Sequence, residues 1–296
     1  MKEKPFSKYQ ILANAVMIIW TLAIILPFIL LFMSSITDEN TLVANGYSFF
    51  PKKFSLASYS YIIKSGGQIL KAYGVSIGVT VVGTLLNVLL SALMAYPLSV
   101  KNLPGRNVMM FFVFFTMLFN GGIVPSYIMW TGTFHIKDTI FAQLLPNFLL
   151  SAWNVMMIRT YFTTSIPDGL YEAAEIDGAS QFTIFWKIVL PLGKPILVTM
   201  GTFAGLAYCN DWTNGMYYIV KNTGLYNVQN LLNQMVQNIQ FLTQSSNSNV
   251  TAAASTIPAT GIQMAIAFVA ILPIMLIFPS FQKYYAKGIA LGAVKG

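Results

Sequence analysis

The chain has 296 residues, 56% of them hydrophobic and only 9% charged, with a formal net charge of +8. Soluble proteins carry about a quarter charged residues, so this composition excludes a soluble domain and points to an integral membrane protein. The basic residues are scattered rather than gathered into a phosphate-tracking patch, which argues against nucleic acid, and a single Cys209 and a single His135 leave nothing for a disulfide, a metal site or a histidine triad.

A spanning helix needs about 20 apolar residues. Six stretches meet this in chain order: Ile11–Met33, Val75–Val100, Val108–Met129, Thr139–Ile158, Pro195–Met216 and Ile262–Phe281. The first is too long for a signal-peptide core and has no small-residue cleavage site, so it reads as a retained helix. The expected fold is therefore an all-α membrane protein of six transmembrane helices. Placing the N-terminus inside puts eleven Lys and Arg on inner segments and six on outer loops. That excess predicts both termini in the cytoplasm.

The same topology gives outer loops at about 34–74 and 217–260 and places residues 159–194 and the tail 282–296 inside. In the second outer loop Leu231, Leu232, Met235, Val236 and Ile239 recur at helical spacing, predicting an amphipathic helix; the alternative is a solvated linker. Asn87, Asn120, Asn154, Asn210 and Asp211 lie within or beside spans. Polar groups at that depth either bond across helices or serve a functional site. Asn120, Asn210, Asp211 and Trp212 are the candidates for ligand contact. Ser65-Gly66-Gly67-Gln68 mimics an ATPase signature, but Lys64 precedes it and no G-x-x-x-x-G-K-[ST] phosphate loop exists anywhere. A glycine-rich turn before a span is the better reading, so the chain itself is expected to be no enzyme.

Within residues 159–194, four of the nine acidic residues (Asp168, Glu172, Glu175, Asp177) crowd into ten positions. Pro167 suits the start of a helix, and early acids suit its dipole. Gly178 permits a sharp turn, and Ser180 is a natural N-cap for a second helix. On that helix Phe182, Phe185, Trp186 and Val189 are spaced as one apolar stripe, closed by Leu190-Pro191. The resulting hairpin either rests on the membrane surface or fits a groove on a basic soluble partner. The tight turn and the acids favour the partner.

Glu172-Ala173-Ala174, Gly178, Ile188 and Leu190-Pro191 resemble the EAA loop of ATP-binding-cassette (ABC) importer permeases, at that family's spacing. Gly46, Pro51, Phe54-Ser55, Tyr59, Asn120-Gly121-Gly122 with Pro125, Asn210-Asp211-Trp212 and the tail from Gln282 to Gly296 look like the carbohydrate branch, second permease of maltose-type systems. The resemblance runs nearly end to end and is closest to importers of complex oligosaccharides in Gram-positive bacteria.

It implies a type I ABC importer permease fold forming one transmembrane domain over 1–296 in the bacterial cytoplasmic membrane. It also implies a second permease, a cytoplasmic ATPase dimer and an extracellular carbohydrate-binding protein as partners. Glu172 and Gly178 would be the main ATPase contacts, Ala173 and Ala174 the close-packed face, and Tyr171, Asp177 and Phe182 their support, with Ile188, Leu190 and Pro191 completing the loop. Gly288, Gly292, Lys295 and Gly296 would reach between the ATPase subunits. ATP and Mg would be bound by the ATPase, leaving this chain without a cofactor. The hairpin is shared by importers of other solutes, which leaves the solute class open at this point. An ion-coupled secondary transporter would show internal repeats and mid-span carboxylates, and a membrane enzyme would show paired catalytic groups; neither pattern is present.

Overall fold

The computed structural model describes residues 8–64, 66–244, 260–272 and 275. Its regular structure is helical: α1 (Lys8–Ser35), α2 (Glu39–Asn45), α3 (Ala57–Lys64), α4 (Gly66–Ser99), α5 (Arg106–Leu118), α6 (Ile123–Ile128), α7 (Phe141–Leu144), α8 (Ala152–Ser165), α9 (Asp168–Ile176), α10 (Gln181–Ile184), α11 (Leu190–Leu192), α12 (Lys194–Cys209), α13 (Thr213–Tyr218) and α14 (Val228–Gln244), then α15 (Thr260–Leu272). Short π-helical turns follow α6 at Met129–Thr133 and α10 at Phe185–Val189.

Two stretches, Tyr9–Ser35 and Gly66–Ser99, are single helices long and apolar enough to cross a membrane. Two more are bent pairs: α5 with Ile123–Thr133 at 110°, and Gln181–Leu192 with α12 at 78°. The expected spans therefore need three corrections. Val108–Met129 folds back at Asn120–Gly122, where the Asn120 side chain accepts from the Gly122 amide at 2.8 Å and Gly122 has φ +85°. Pro195–Met216 stops as a helix at Cys209 and resumes at Thr213. Thr139–Ile158 is not one helix: α7 ends before Pro146 and Asn147, which has φ +68°, and α8 then runs on to Ser165. For the last predicted span, α15 begins at Thr260, and most of the residues beyond Leu272 lie outside the described set.

The chain divides into two compact units. In the first (Met1–Ile69 with Leu232–Ile274), Ile62, Ile262, Ala265 and Ile266 form the core, with Tyr59 and Leu232 packed against it. Asp38 caps α2 through the Thr41 amide, and Tyr59 shares a 2.8 Å hydrogen bond with Ser35. Glu39 fastens the start of α15, accepting from the Thr260 and Gly261 amides at 2.8 Å each. Two amides without helical partners are thereby satisfied by one carboxylate, at the end where the helix dipole favours it.

The second unit (Leu70–Leu231 with Met275–Gly296) has its main core in Ala92, Ala95, Val155, Ile158, Phe162, Ile184, Phe185, Val189 and Met200. Small alanines on α4 let large side chains of the neighbouring helices approach closely, the packing mode helices use where lipid removes the hydrophobic drive to associate. Asn154 donates to Asn87 at 2.7 Å, and Asn87 donates to the Phe148 carbonyl at 2.6 Å, so these two asparagines bond across elements as their depth predicts. Helix α14 covers Leu231, Leu232, Met235, Val236 and Ile239, as their spacing predicts.

Candidate functional site

Helix α9 starts at Asp168, with Pro167 one residue outside and its carbonyl accepting from Leu170. The helix ends in a Schellman turn: the Ala179 amide donates to Ala174 at 2.9 Å and the Gly178 amide to Glu175 at 3.0 Å. Gly178 takes the C′ position with φ +75°, a left-handed conformation that costs other L-residues about 1–2 kcal/mol. Two residues later the Ser180 hydroxyl accepts from the Thr183 amide at 3.2 Å and caps the second arm. The reversal is therefore written locally, in a glycine and a serine spaced two apart.

The hairpin has two chemically different sides. Ala174, Ile184, Phe185 and Val189 are buried in the core with Val155, Ile158 and Phe162. Tyr171, Ile188 and Leu190 pack beside them, and burial pushes the Tyr171 hydroxyl above its ordinary pKa. Facing out are Glu172, Ala173, Asp177 and Gly178 with Ile176 (85% exposed), Phe182 (67%) and Trp186 (44%). Glu172 and Asp177 form no ion pair among the described residues. Asp168 is paired with Lys101, just past the end of α4. Pro191 is exposed at the far end, where α11 leads into α12.

The expected stripe of Phe182, Phe185, Trp186 and Val189 is split by the structure. Phe185 and Val189 turn inward with Ile184, while Phe182 and Trp186 stay outside. The π-helical turn at Phe185–Val189 is the cause. It widens the repeat, so Phe182 and Val189, seven apart, no longer share a face, while the pairs four apart, Phe182 with Trp186 and Phe185 with Val189, stay together. Ala173 likewise separates from Ala174, one exposed and the other buried.

Further hydrogen bonds at the hairpin and at the neighbouring end of α4 escaped the sequence reading. The Tyr96 hydroxyl on α4 donates to the Gln181 side chain at 2.6 Å, and Gln181 donates to Glu175 at 2.8 Å. Arg106 and Arg159 both donate to the Leu98 carbonyl, at 2.9 and 3.2 Å, securing the proline-disturbed end of α4. None of these pairings has a local signature; their partners are up to 85 residues apart.

The solute candidates fall into two places. Asn120 is exposed at the α5–α6 bend. Asn210, Asp211 and Trp212 form the α12–α13 break, and no described hydrogen bond joins the two groups. Asp211 is only 5% exposed and is used internally, accepting from the Thr213 and Asn214 amides at 2.9 and 3.2 Å. Asn210 and Trp212 remain exposed. The tail residues Gly288, Gly292, Lys295 and Gly296 lie outside the described residues.

Residues 73–291 match the family model described as binding-protein-dependent transport system inner membrane component. The chain belongs to that family. The match spans most of the protein, from within α4 through the hairpin and beyond α15. Among its relatives is the polygalacturonan/rhamnogalacturonan transport system permease protein YtcP of Bacillus subtilis, 35% identical over 97% of this chain and 98% of that one. Protein LplC of the same organism is 36% identical over 92% of this chain and 90% of its own. Among solved structures, a bacterial ABC transporter involved in the import of the acidic polysaccharide alginate contains a chain that superposes with a TM-score of 0.79 and 26% identity. That alignment covers 96% of this chain and all of the other, so the whole fold is shared and not only the matched segment. The all-helical architecture is that of a type I importer permease.

Proposed function

We propose that the chain, working as one permease domain over 1–296, is the membrane subunit of an ATP-driven oligosaccharide importer, spanning the bacterial cytoplasmic membrane six times with both termini inside. The relatives named for polygalacturonan/rhamnogalacturonan transport and alginate import support the solute class. Its partners are a second permease, an extracellular carbohydrate-binding protein and a cytoplasmic ATPase pair that binds ATP and Mg. This chain contributes the pathway and the mechanical connection, not the hydrolysis.

The observation that carries the connection is the two-sided EAA hairpin. Glu172 and Asp177 present negative charge with no ion pair among the described residues, and the rings of Phe182 and Trp186 are exposed on the same hairpin. A basic, apolar-floored cleft on the ATPase complements that surface, with Gly178 and Ala173 small enough for its backbone to come close. The opposite side, Ala174, Ile184, Phe185 and Val189, is packed into the permease core, so a push on the outer side moves the core with it. Closure of the ATPase dimer then passes through Ile188, Leu190 and Pro191 into α12. The tail at Gly288–Gly296 inserts between the two ATPase subunits. Of the solute candidates, exposed Asn120, Asn210 and Trp212 can meet a sugar, whereas Asp211 holds the break that presents Trp212.

The test is Glu172→Lys in the assembled importer, with ATPase co-purification and uptake of labelled oligogalacturonides as readouts. Loss of both is expected. Retained ATPase and uptake would remove the hairpin from the coupling role. A wild-type importer that takes up no oligosaccharide would instead overturn the solute class and leave the docking question to co-purification.

A further inference from the structure

We propose that Tyr96, Gln181 and Glu175 form a positioning relay that carries hairpin motion into α4, a second route beside the covalent one into α12. The proposal rests on the hairpin being the ATPase dock. One amide joins three elements: Gln181, opening the second arm, accepts from Tyr96 on α4 at 2.6 Å and donates to Glu175 on the first arm at 2.8 Å. Only a side chain carrying both an acceptor and a donor can do this, which a glutamine supplies and a glutamate does not.

The Tyr96 ring also touches both arms. It stacks on Tyr171 of the first arm at 6.4 Å between centroids and 27°, and meets Phe185 of the second at 5.5 Å. Tyr96 is thus fixed to each arm by a ring and to both through one amide. It stands immediately before Pro97, and the Leu98 carbonyl beyond is held by Arg106 and Arg159. Its position in α4 therefore cannot relax independently of the hairpin. From Tyr96 to Gln68 the helix extends about 40 Å at 1.5 Å per residue, so a tilt imposed at this end reaches the other side of the bilayer.

The readout needs no knowledge of the solute. Gln68→Cys, introduced with Cys209→Ser into the full importer, reports movement of the far end of α4 through its rate of maleimide labelling with and without ATP and vanadate. The relay predicts that trapping nucleotide changes this rate, by about fivefold or more if the coupling energy is in the usual range. Gln181→Glu, which sets two carboxylates side by side, abolishes the change while the ATPase stays bound. The exchange Glu175→Gln with Gln181→Glu restores both hydrogen bonds with the inner donor reversed, and restores the change. The relay is overturned if wild-type labelling ignores nucleotide, if Gln181→Glu leaves the change intact, if it releases the ATPase, or if the exchange fails to rescue. Failure of the docking role shows separately, as a Glu172→Lys importer that keeps its ATPase.

Discussion

The outer side of the 168–192 hairpin and the polar knot behind the α12–α13 break use the same kinds of residue for opposite ends. On the hairpin, Glu172 and Asp177 face outward with no ion pair among the described residues, beside exposed Phe182 and Trp186. In the knot, Gln143, Asp211, Asn214, Asn227 and Asn230 are all at most 5% exposed. Asn227 donates to the Asp211 carbonyl at 2.6 Å and to Gln143 at 3.0 Å, Gln143 donates to the Leu225 carbonyl at 2.7 Å, and Asn214 donates to the Pro146 carbonyl at 3.0 Å. Asn230 gives its side-chain amide to Trp212. The knot supplies partners to backbone groups that irregular chain leaves open inside a greasy protein, where each unmet group would cost several kcal/mol. The hairpin acids thus face outward without ion-pair partners among the described residues, whereas the knot's side chains are spent mainly on one another and on the backbone, with only Asp211 Oδ2 and Asn230 Oδ1 left without a hydrogen bond there.

The largest effect should come from charge reversal on the outer side. Glu172→Lys touches nothing inside, so thermal stability should stay within about 0.5 kcal/mol. ATPase association should weaken about 30-fold or more, the loss of an interface hot spot worth roughly 2 kcal/mol. Titration of the variant with purified ATPase measures this. Next, Asp211→Ala should unfold more easily by about 1–3 kcal/mol, because the Thr213 and Asn214 amides lose their acceptor. Detergent melting reads the loss, while the protein that remains folded binds ATPase normally.

Gly215→Ala sharpens the same point without removing a polar group. An added methyl would run into the Asn230 side chain, so the variant should lose about 1–3 kcal/mol as the amide is pushed off Trp212. Gly178→Ala has free space and a strained φ instead, so the variant should lose about 1–2 kcal/mol of folding stability, read by detergent melting.

The smallest effect concerns Asp138. It accepts from the Val220 and Lys221 amides at 2.7 Å and from Asn222 at 3.2 Å. The Lys221 amide leads in holding its pKa below the ordinary carboxylate value, helped by Val220, Asn222 and the nearby Lys137. A depressed folded pKa stabilises above the unfolded value of about 3.9 and is lost as pH falls through the folded value. Melting followed downward from pH 5 should therefore show an acid-side decline that Asp138→Asn removes.

Much of the hairpin was legible because its instructions are local. Pro167, Gly178 and Ser180 dictate start, turn and restart within fourteen positions, and the dipole explains the acid at Asp168. The buried side was harder: a π-helical turn changes which of Ile184, Phe185 and Trp186 face inward, and spacing rules assume a constant repeat. The break within Thr139–Ile158 was hidden for a different reason. Hydropathy registers apolar side chains, and this segment stays apolar through its turn because its backbone is satisfied from afar, by Asn87, Asn214 and Tyr208 at the carbonyls of Phe148, Pro146 and Leu144. Asp211 illustrates the same limit: its type and depth allowed either a cap or solute contact, and only the structure shows the Thr213 and Asn214 amides that it caps.

The contrast between outward and inward polar groups is tested most directly by measuring ATPase affinity and melting temperature on two variants in parallel, Glu172→Lys and Asp211→Ala, reconstituted with the partner permease. The account predicts that Glu172→Lys loses affinity and keeps its melting temperature, while Asp211→Ala melts earlier and keeps its affinity. Normal ATPase affinity in Glu172→Lys would contradict it.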